Sequence, residues 1–266
     1  MFKFKAGFVG AGNMGASLAK AICKKLGGEK VLISCKDIDE AREVGKRLSC
    51  NYGTSNDAVV NSKFVFLGIK PQGLDDVANA LKADFDKNKD CIIVSMLAGV
   101  KTSRLENLFG EKKVIRIMPN TPAAVGEGMI LVCGNSYVTQ EDMAEFMDMM
   151  SMCGSLDLID EELIDAGTAV SGCGPAFVYM FIDALADAGV KCGLSREQSV
   201  KYAAQTLIGS ANMVVQTGIH PHDLKVAVCS PGGSTIEGVK SLENDNFKDS
   251  VIRAVEASYN KTKMLG

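Results

Sequence analysis

The sequence predicts an α/β protein in two parts: a doubly wound, mostly parallel sheet over residues 1–160, then an all-helical domain over residues 161–266. Three observations carry this reading. Short apolar runs alternate with stretches of helical periodicity as far as Ile159, the pattern of repeated β-α units whose strands are covered on both faces. The first unit places Gly10-Ala11-Gly12-Asn13-Met14-Gly15 between its strand and its helix. From Glu161 onward the strand-like runs cease and only helical periodicity is left.

Lys5–Val9 reads as the first strand, and Ala16, Leu18, Ala19, Ile22 and Leu26 mark the apolar stripe of the helix after it. A strand feeding G-x-G-x-x-G into a helix is the Rossmann-type context for a dinucleotide. Gly10 allows the tight turn, Gly12 lets the backbone approach a pyrophosphate, and Gly15 permits close packing of helix on strand. Ala11, Asn13 and Met14 complete the loop at the helix N-terminus, where an anion is favoured. Val31–Ser34 is the second strand, with Ser34, Cys35 and Lys36 at its tip. Hydroxyl and basic groups there suit the 2′-phosphate of NADP, so NADPH is favoured. NADH stays open, because Asp37 and Asp39 follow closely and a slightly longer strand would return a carboxylate to the ribose. Asn56, within Thr54–Asp57, either reaches the adenosine end or caps its own turn.

Phe64–Ile69 is a continuous apolar strand that stops at Lys70-Pro71-Gln72. Strand ends in open α/β sheets face the ligand crevice, which makes Lys70 and Pro71 candidates for lining it; a solvated lysine is the alternative. Cys91–Met96 ends in Leu97-Ala98-Gly99-Val100, and the small Ala98 and Gly99 stand where bulk would obstruct a cofactor. Val114–Met118 is a fifth strand, and two prolines fix the loop after it, so that Met118, Pro119 and Asn120 border the crevice. Gly128–Cys133 is a sixth strand, Gln140–Cys153 a methionine-rich helix suited to core packing, and Leu156–Ile159 a closing strand.

In the helical domain, Leu163–Val190 forms one long helix that bears Ser171-Gly172-Cys173-Gly174-Pro175. Ser195 and Gln198 have capping-box spacing ahead of a helix reaching about Val215. His220-Pro221-His222 reads as a helix-start turn rather than a metal pair, so no metal site is expected. Ser230-Pro231-Gly232-Gly233-Ser234-Thr235 then precedes the helical spacing of Ile236–Leu242. Free backbone N–H groups and hydroxyls converging at a helix start suit a small carboxylate or phosphate; an ordinary turn with an N-cap is the plainer reading. A last helix runs from Phe247 to Met264.

The chain of 266 residues has 47% hydrophobic and 23% charged residues and a formal net charge of −3. That balance is ordinary for a soluble globular protein and gives no reason to expect nucleic acid or an anionic membrane as partner, which leaves a small molecule. No uninterrupted apolar stretch is expected to span a bilayer. The nine cysteines are scattered and never spaced C-x-x-C, which suits reduced thiols in a cytoplasmic compartment.

The order of motifs resembles the pyrroline-5-carboxylate reductase family. Phe8–Gly15, Ile69–Gln72, Met118–Pro122, Ser171–Phe177, Gly189–Leu194 and Ser230–Ile236 carry the resemblance, which covers essentially the whole chain. Cys173, Phe177 and Ser234 depart from the residues usual at those positions. The resemblance implies an enzyme of proline biosynthesis that reduces 1-pyrroline-5-carboxylate, a cyclic imine, to L-proline with NAD(P)H. It further implies that the helical domain serves dimerisation, that the assembly is a homodimer or a larger ring of dimers, and that the substrate lies between nicotinamide and the 230–235 loop. Such a site needs positioning more than a strong acid, because an imine protonates readily. Ser230, Gly232, Gly233 and Ser234 are then expected to hold the carboxylate, with Thr235 near the ring nitrogen as the catalytic residue.

Two alternatives stand beside this. A β-hydroxyacid dehydrogenase shares the two-domain plan but uses a lysine after the glycine-rich turn of the long helix, and Pro175–Met180 supplies none. A protein that binds NADPH without turning it over is the other, since fold does not dictate activity.

Overall fold

The computed structural model describes residues 2–264. The strands and helices of the first half alternate as β1 Phe4–Val9, α1 Asn13–Leu26, β2 Val31–Ser34, α2 Ile38–Leu48, β3 Asn51–Gly53, α3 Asn56–Val60, β4 Ser62–Leu67, α4 Leu74–Lys87, β5 Ile92–Ser95, α5 Thr102–Phe109, β6 Lys113–Met118, β7 Gly128–Gly134, α6 Gln140–Met150 and β8 Gly154–Leu158. The eight strands form one sheet in the order β3-β2-β1-β4-β5-β6-β7-β8. All neighbouring pairs are parallel except β6 with β7. The reversal follows from the short Pro119–Glu127 connection, which leaves no room for a crossover helix. β3 is absent from the sequence reading, because Asn51-Tyr52-Gly53 is a short, largely exposed edge strand without an apolar run.

Both faces of the sheet are covered, and each strand serves both by alternation. Phe64 and Phe66 of β4 join α1, α2 and α6 in one apolar layer, where Phe8 stacks on Phe66 with ring centroids 4.4 Å apart and Phe146 packs beside them. Val65 and Leu67 of the same strand join α3, α4 and α5 in the other layer, where Phe85 meets Phe109 edge-on. The methionine-rich α6 packs into the first layer through Phe146, Met149 and Met150, as expected.

α6 is anchored electrostatically at its start. Thr139 and Asp142 form a capping box, and Asp142 also accepts a 2.6 Å hydrogen bond from Lys113 Nζ. Lys5 and Lys63 pair with Glu145 one turn on.

At the end of the sheet the chain enters a helical run, Glu161–Lys191. It opens with a tight 3-10 turn at Glu161–Leu163, continues as α7 Ile164–Gly167, widens into a π turn at Thr168–Gly172 and runs on as α8 Gly174–Lys191. Length and composition would let this run cross a membrane, contrary to the expectation from sequence, because neither the π turn nor Pro175 interrupts it. Arg116, almost wholly buried in β6, meets both acids at the start of the run: Nη1 donates to Glu161 at 3.3 Å and Nη2 to Asp165 at 3.2 Å. Glu161 in turn accepts from the Thr102 N–H and hydroxyl at 2.7 and 2.9 Å, capping α5.

The contacts divide the chain into two compact units, one of residues 1–173 with 258–266, the other of residues 174–257. The second holds α8, α9 Arg196–Thr217, α10 Pro221–Ala227, α11 Ser234–Asn244 and the first part of α12 Phe247–Lys263. Ser195 and Gln198 make the expected capping box, and His220 Nδ1 accepts from the His222 N–H as the cap of α10. α8 and α9 pack on one another where Gly189 lies against Ser199, yet Ala186 is the sole fully buried side chain of α8. Tyr179, Met180, Tyr202, Ile208, Met213 and Val215 are exposed, a quantity of apolar surface that marks an association face.

Two outcomes follow for stability. Burial pushes the Asp142 carboxyl up, but hydrogen bonds from Lys113 and Thr139 outweigh it and hold the group below the ordinary carboxylate range. Its contribution is therefore present above about pH 4 and lost as pH falls through the lower folded value. Urea melts between pH 5 and pH 2 should show a shallower acid loss for Asp142→Asn than for the native chain. Arg116→Met leaves two acids facing each other without their cation, and denaturant unfolding should report a loss of about 3 kcal/mol.

Candidate functional site

The cofactor half of the site is built where β1, β4, β5 and β6 end. Gly10 turns the chain with φ 83°, and its N–H donates to the Ser34 carbonyl at 2.7 Å. A Cβ on Gly10 would lie 2.7 Å from the Gly68 carbonyl oxygen, and one on Gly68 would collide with that of Gly10. The two turns thus touch backbone to backbone. Gly68 is a residue the sequence reading passed over, and its place directly after an apolar strand was the available signal. Gly15, buried on α1, packs against the Gly10 carbonyl, where an added Cβ would lie 3.2 Å from that oxygen, closer than ordinary van der Waals contact.

Gly12 caps α1 with its backbone alone, and no side chain accepts from the first-turn N–H groups. The first helical bond runs from the Ala16 N–H to the Gly12 carbonyl, which leaves the N–H groups of Asn13, Met14 and Gly15 outside the ladder. An added Cβ on Gly12 would meet nothing within 4 Å. Open space in front of free N–H groups at a helix N-terminus fits a diphosphate. Ala11 is buried under the turn, whereas Asn13 is exposed at its rim.

Beside this cradle, Ser34 is fully buried and its hydroxyl donates to Asn56 Oδ1 at 2.7 Å. The bond ties Asn56 to the β2 tip, and the reading of Asn56 as the cap of its own turn is not met: Ser55 is the N-cap of α3, and no side chain accepts there. Lys36 is exposed beyond the strand end. Asp37 is occupied as the N-cap of α2, accepting from the Asp39 and Glu40 N–H groups at 2.7 and 3.0 Å, and Asp39 pairs with Arg42. β2 ends at Ser34, so neither carboxylate stands at the strand tip where a ribose would meet it.

Further along the sheet edge, Lys70 is exposed and Pro71 opens a short helical turn. Pro71 and Gly99 line a cleft of about 750 Å³ together with Gln72, Lys101, Arg104 and Asp165. Ala98 is half-buried against Met118 and Leu131. Met118 and Pro119 are buried. Asn120 differs from expectation: its amide donates to the Ser171 carbonyl at 2.9 Å, and its Oδ1 accepts from the Met129 N–H at 2.9 Å. The side chain read from sequence as facing a cofactor is held by protein on both ends, and the carbonyl it binds lies in the π turn. Such turns leave a carbonyl outside the regular ladder, and 3.6-residue periodicity carries no sign of one.

The 230–235 loop belongs to the other unit. Gly232 has φ 73°, the Gly233 N–H donates to the Ser230 carbonyl at 3.0 Å, and α11 begins at Ser234. An added Cβ on Gly233 would lie 2.6 Å from Ser230 Oγ and 3.1 Å from the Ser230 carbonyl oxygen, so a side chain there would require Ser230 to shift. Again no side chain caps the first turn. The N–H groups of Ser234, Thr235 and Ile236 are available to an anion, with the Ser230, Ser234 and Thr235 side chains exposed around them. Among the described residues, no cluster of three or more His, Cys, Asp or Glu could hold a metal ion.

Comparison with known proteins gives these two arrangements a common setting. Residues 161–265 match the family model described as pyrroline-5-carboxylate reductase dimerisation. Residues 5–99 match the model described as NADP oxidoreductase, coenzyme F420-dependent. The pyrroline-5-carboxylate reductase of Aquifex aeolicus is 38% identical over 98% of this chain and 97% of its own length, and that of Escherichia coli is 38% identical over 98% of each. The crystal structure of the Plasmodium falciparum pyrroline carboxylate reductase with NADP bound superposes with a TM-score of 0.89 at 36% identity, covering 100% of this chain and 99% of that one. The exposed apolar faces of α8 and α9 lie within the dimerisation match, which accounts for a membrane-length helix without a membrane. The chain belongs to the pyrroline-5-carboxylate reductase family, NAD(P)-dependent oxidoreductases that reduce 1-pyrroline-5-carboxylate to proline.

Proposed function

We propose that this chain reduces 1-pyrroline-5-carboxylate to L-proline with NADPH as preferred cofactor. The observation that carries the reading is the pair of uncapped helix N-termini, one behind Gly12 and one behind Gly233, each preceded by a glycine turn. One suits a diphosphate and the other a carboxylate, and the reaction needs both. We take residues 1–160 as the dinucleotide-binding domain and 161–266 as the substrate-binding and dimerisation domain.

The cofactor would be held by the Gly10–Gly15 loop at its diphosphate. Ser34, Lys36 and Asn56 would hold its adenosine end, and Lys70, Pro71, Ala98, Gly99, Met118 and Pro119 the strand-end crevice. Bound there, NADPH supplies the hydride that adds to the imine carbon. The residues of the chain supply position and the proton's path. The Gly232, Gly233 and Ser234 backbone grips the substrate carboxylate with Ser230 assisting, which orients the C=N bond. Thr235, at the second position of α11, hydrogen-bonds the ring nitrogen and relays its proton. Asn120 acts through Ser171 rather than on the ligand, holding the loop after β6 to the π turn.

The preference for NADPH is supported by the commitment of Asp37 to α2, which removes the carboxylate that a free ribose would want. The nine free thiols support a reducing compartment, and we infer a soluble, cytoplasmic homodimer.

Nicotinamide oxidation with DL-pyrroline-5-carboxylate tests the role of Thr235. Thr235→Ala should lower kcat roughly 100-fold while leaving NADPH affinity unchanged; normal turnover and substrate affinity in that variant would sink the assignment. The adenosine end is tested separately. Lys36→Glu should raise KM for NADPH about tenfold and leave KM for NADH nearly unchanged, the loss of one charge-assisted contact.

A further inference from the structure

We infer that Glu161 is a positioning residue for the nicotinamide end of the cofactor, acting through Thr102 and Arg116 on the two segments that border the strand-end crevice. The inference deepens the function proposed above and rests on its placing of Ala98, Gly99, Met118 and Pro119 around the cofactor. α5 begins with Lys101 as its N-cap residue and Thr102 as its first helical position. A lysine offers no side-chain acceptor to the N–H groups of a first turn, and its charge is unfavourable at the positive end of a helix dipole. The acceptor comes instead from 59 residues further along the chain: Glu161 Oε1 accepts from the Thr102 N–H at 2.7 Å, and Oε2 from the Thr102 hydroxyl at 2.9 Å. The starts of α1 and α11 leave their N–H groups for ligands, whereas the start of α5 is bonded to protein.

Both ends of the 96–101 loop return to one guanidinium. At the start, Ser95 of β5 stands opposite Arg116 in the parallel ladder with β6, and its hydroxyl accepts from the Leu97 N–H at 3.4 Å. At the end, Thr102 is held by Glu161, whose Oε1 also accepts from Arg116 Nη1 at 3.3 Å. Between these anchors the Val100 N–H donates to the Leu97 carbonyl at 3.3 Å, and Gly99 takes φ 75°, a conformation that suits glycine. The second border of the crevice is delivered by the same strand, because Arg116 stands two residues before Met118 on β6. Half-buried Ala98 packs against the cluster of Met118, Leu131 and Ile164, so the two borders also meet through side chains.

The two acids on Arg116 differ in what they reach. Asp165 lines the cleft shared by Pro71 and Gly99, whereas Glu161 turns to the start of α5. Replacing Arg116 strips both acids of their cation; replacing Glu161 releases the start of α5 and leaves Asp165 on Arg116. Glu161 is therefore the member through which position separates from folding. Without its anchor on Thr102, the 96–101 loop is fixed at one end, and a nicotinamide ring entering beside Gly99 and Met118 has to order the loop as it binds, at a cost in affinity. The diphosphate cradle and the 230–235 loop are held by other bonds, Gly10 to Ser34 and Gly233 to Ser230.

The test compares two ligands on the full-length protein: NADPH, followed by its fluorescence, and 2′-phospho-ADP-ribose, which has the adenosine end and no nicotinamide. Glu161→Ala should weaken NADPH binding about tenfold and leave the fragment within about twofold of the native value. In steady state it should raise KM for NADPH while KM for 1-pyrroline-5-carboxylate holds. Hydrogen exchange of the cofactor-free protein should show the Val100 and Thr102 amides opening faster in this variant. Glu161→Gln keeps an oxygen for the Thr102 N–H and should recover most of the affinity. Thr102→Val, which loses only the hydroxyl bond, should weaken NADPH about threefold, and its loss should not add to that of Glu161→Ala. Equal weakening of NADPH and the fragment, unchanged exchange at residues 100 and 102, or a Glu161→Gln variant as weak as Glu161→Ala would overturn the inference. Failure of the native chain to bind NADPH would instead overturn the function on which the inference rests.

Discussion

Two backbone turns meet at the end of the sheet, Gly10 after β1 and Gly68 after β4, so closely that neither position has room for a Cβ. The β1–β4 ladder draws them together, the Gly68 N–H donates to the Val9 carbonyl at 2.9 Å, and the Gly10 N–H reaches across to Ser34 on β2. This contact fixes the direction in which α1 leaves the sheet. With Gly10, Gly15 and Gly68 in place, the first turn of α1 faces open space with its N–H groups unspent, and that is the chemical content of the cradle. Everything proposed for the cofactor rests on it, because a side chain at either turn would push the helix start away from the strand ends.

The helical half repeats the device with different material. Gly232 and Gly233 bring the chain to α11 without a side-chain cap, so its first N–H groups are again left for an anion. A helix start capped by glycine forgoes the side-chain acceptor that a Ser or Asp cap would give, at a cost of roughly a few tenths of a kcal/mol. Retaining such a start at two places in one chain is consistent with ligands that supply the missing acceptors. Arg116 contributes the other organising feature, a single buried cation that gathers Glu161, Asp165 and, through Glu161, the start of α5 at the exit from the sheet.

Much of this was legible in the residues. The alternation of apolar runs gave seven of the eight strands, and the glycine spacing marked the cradle, because sterics at a tight turn leave little choice of residue. The missing strand, Asn51–Gly53, has too little apolar content to register. Asn120 was legible as a special position but not in its role, since a sequence does not show that Ser171 and Met129 occupy its amide. Arg116 was visible as a charge within an apolar strand, and its partners lie too far along the chain for spacing to reveal. The family resemblance read from the motifs agrees with the relatives found by comparison.

The most direct test of the account follows the hydride. Reduction of 1-pyrroline-5-carboxylate with NADPH deuterated at the transferring position of nicotinamide C4, followed by mass and NMR analysis of the product, locates the transferred atom. The account predicts L-proline carrying one deuterium at C5, the former imine carbon. Oxidation of the cofactor without deuterium at that carbon, or binding of NADPH with no oxidation at all, would contradict it.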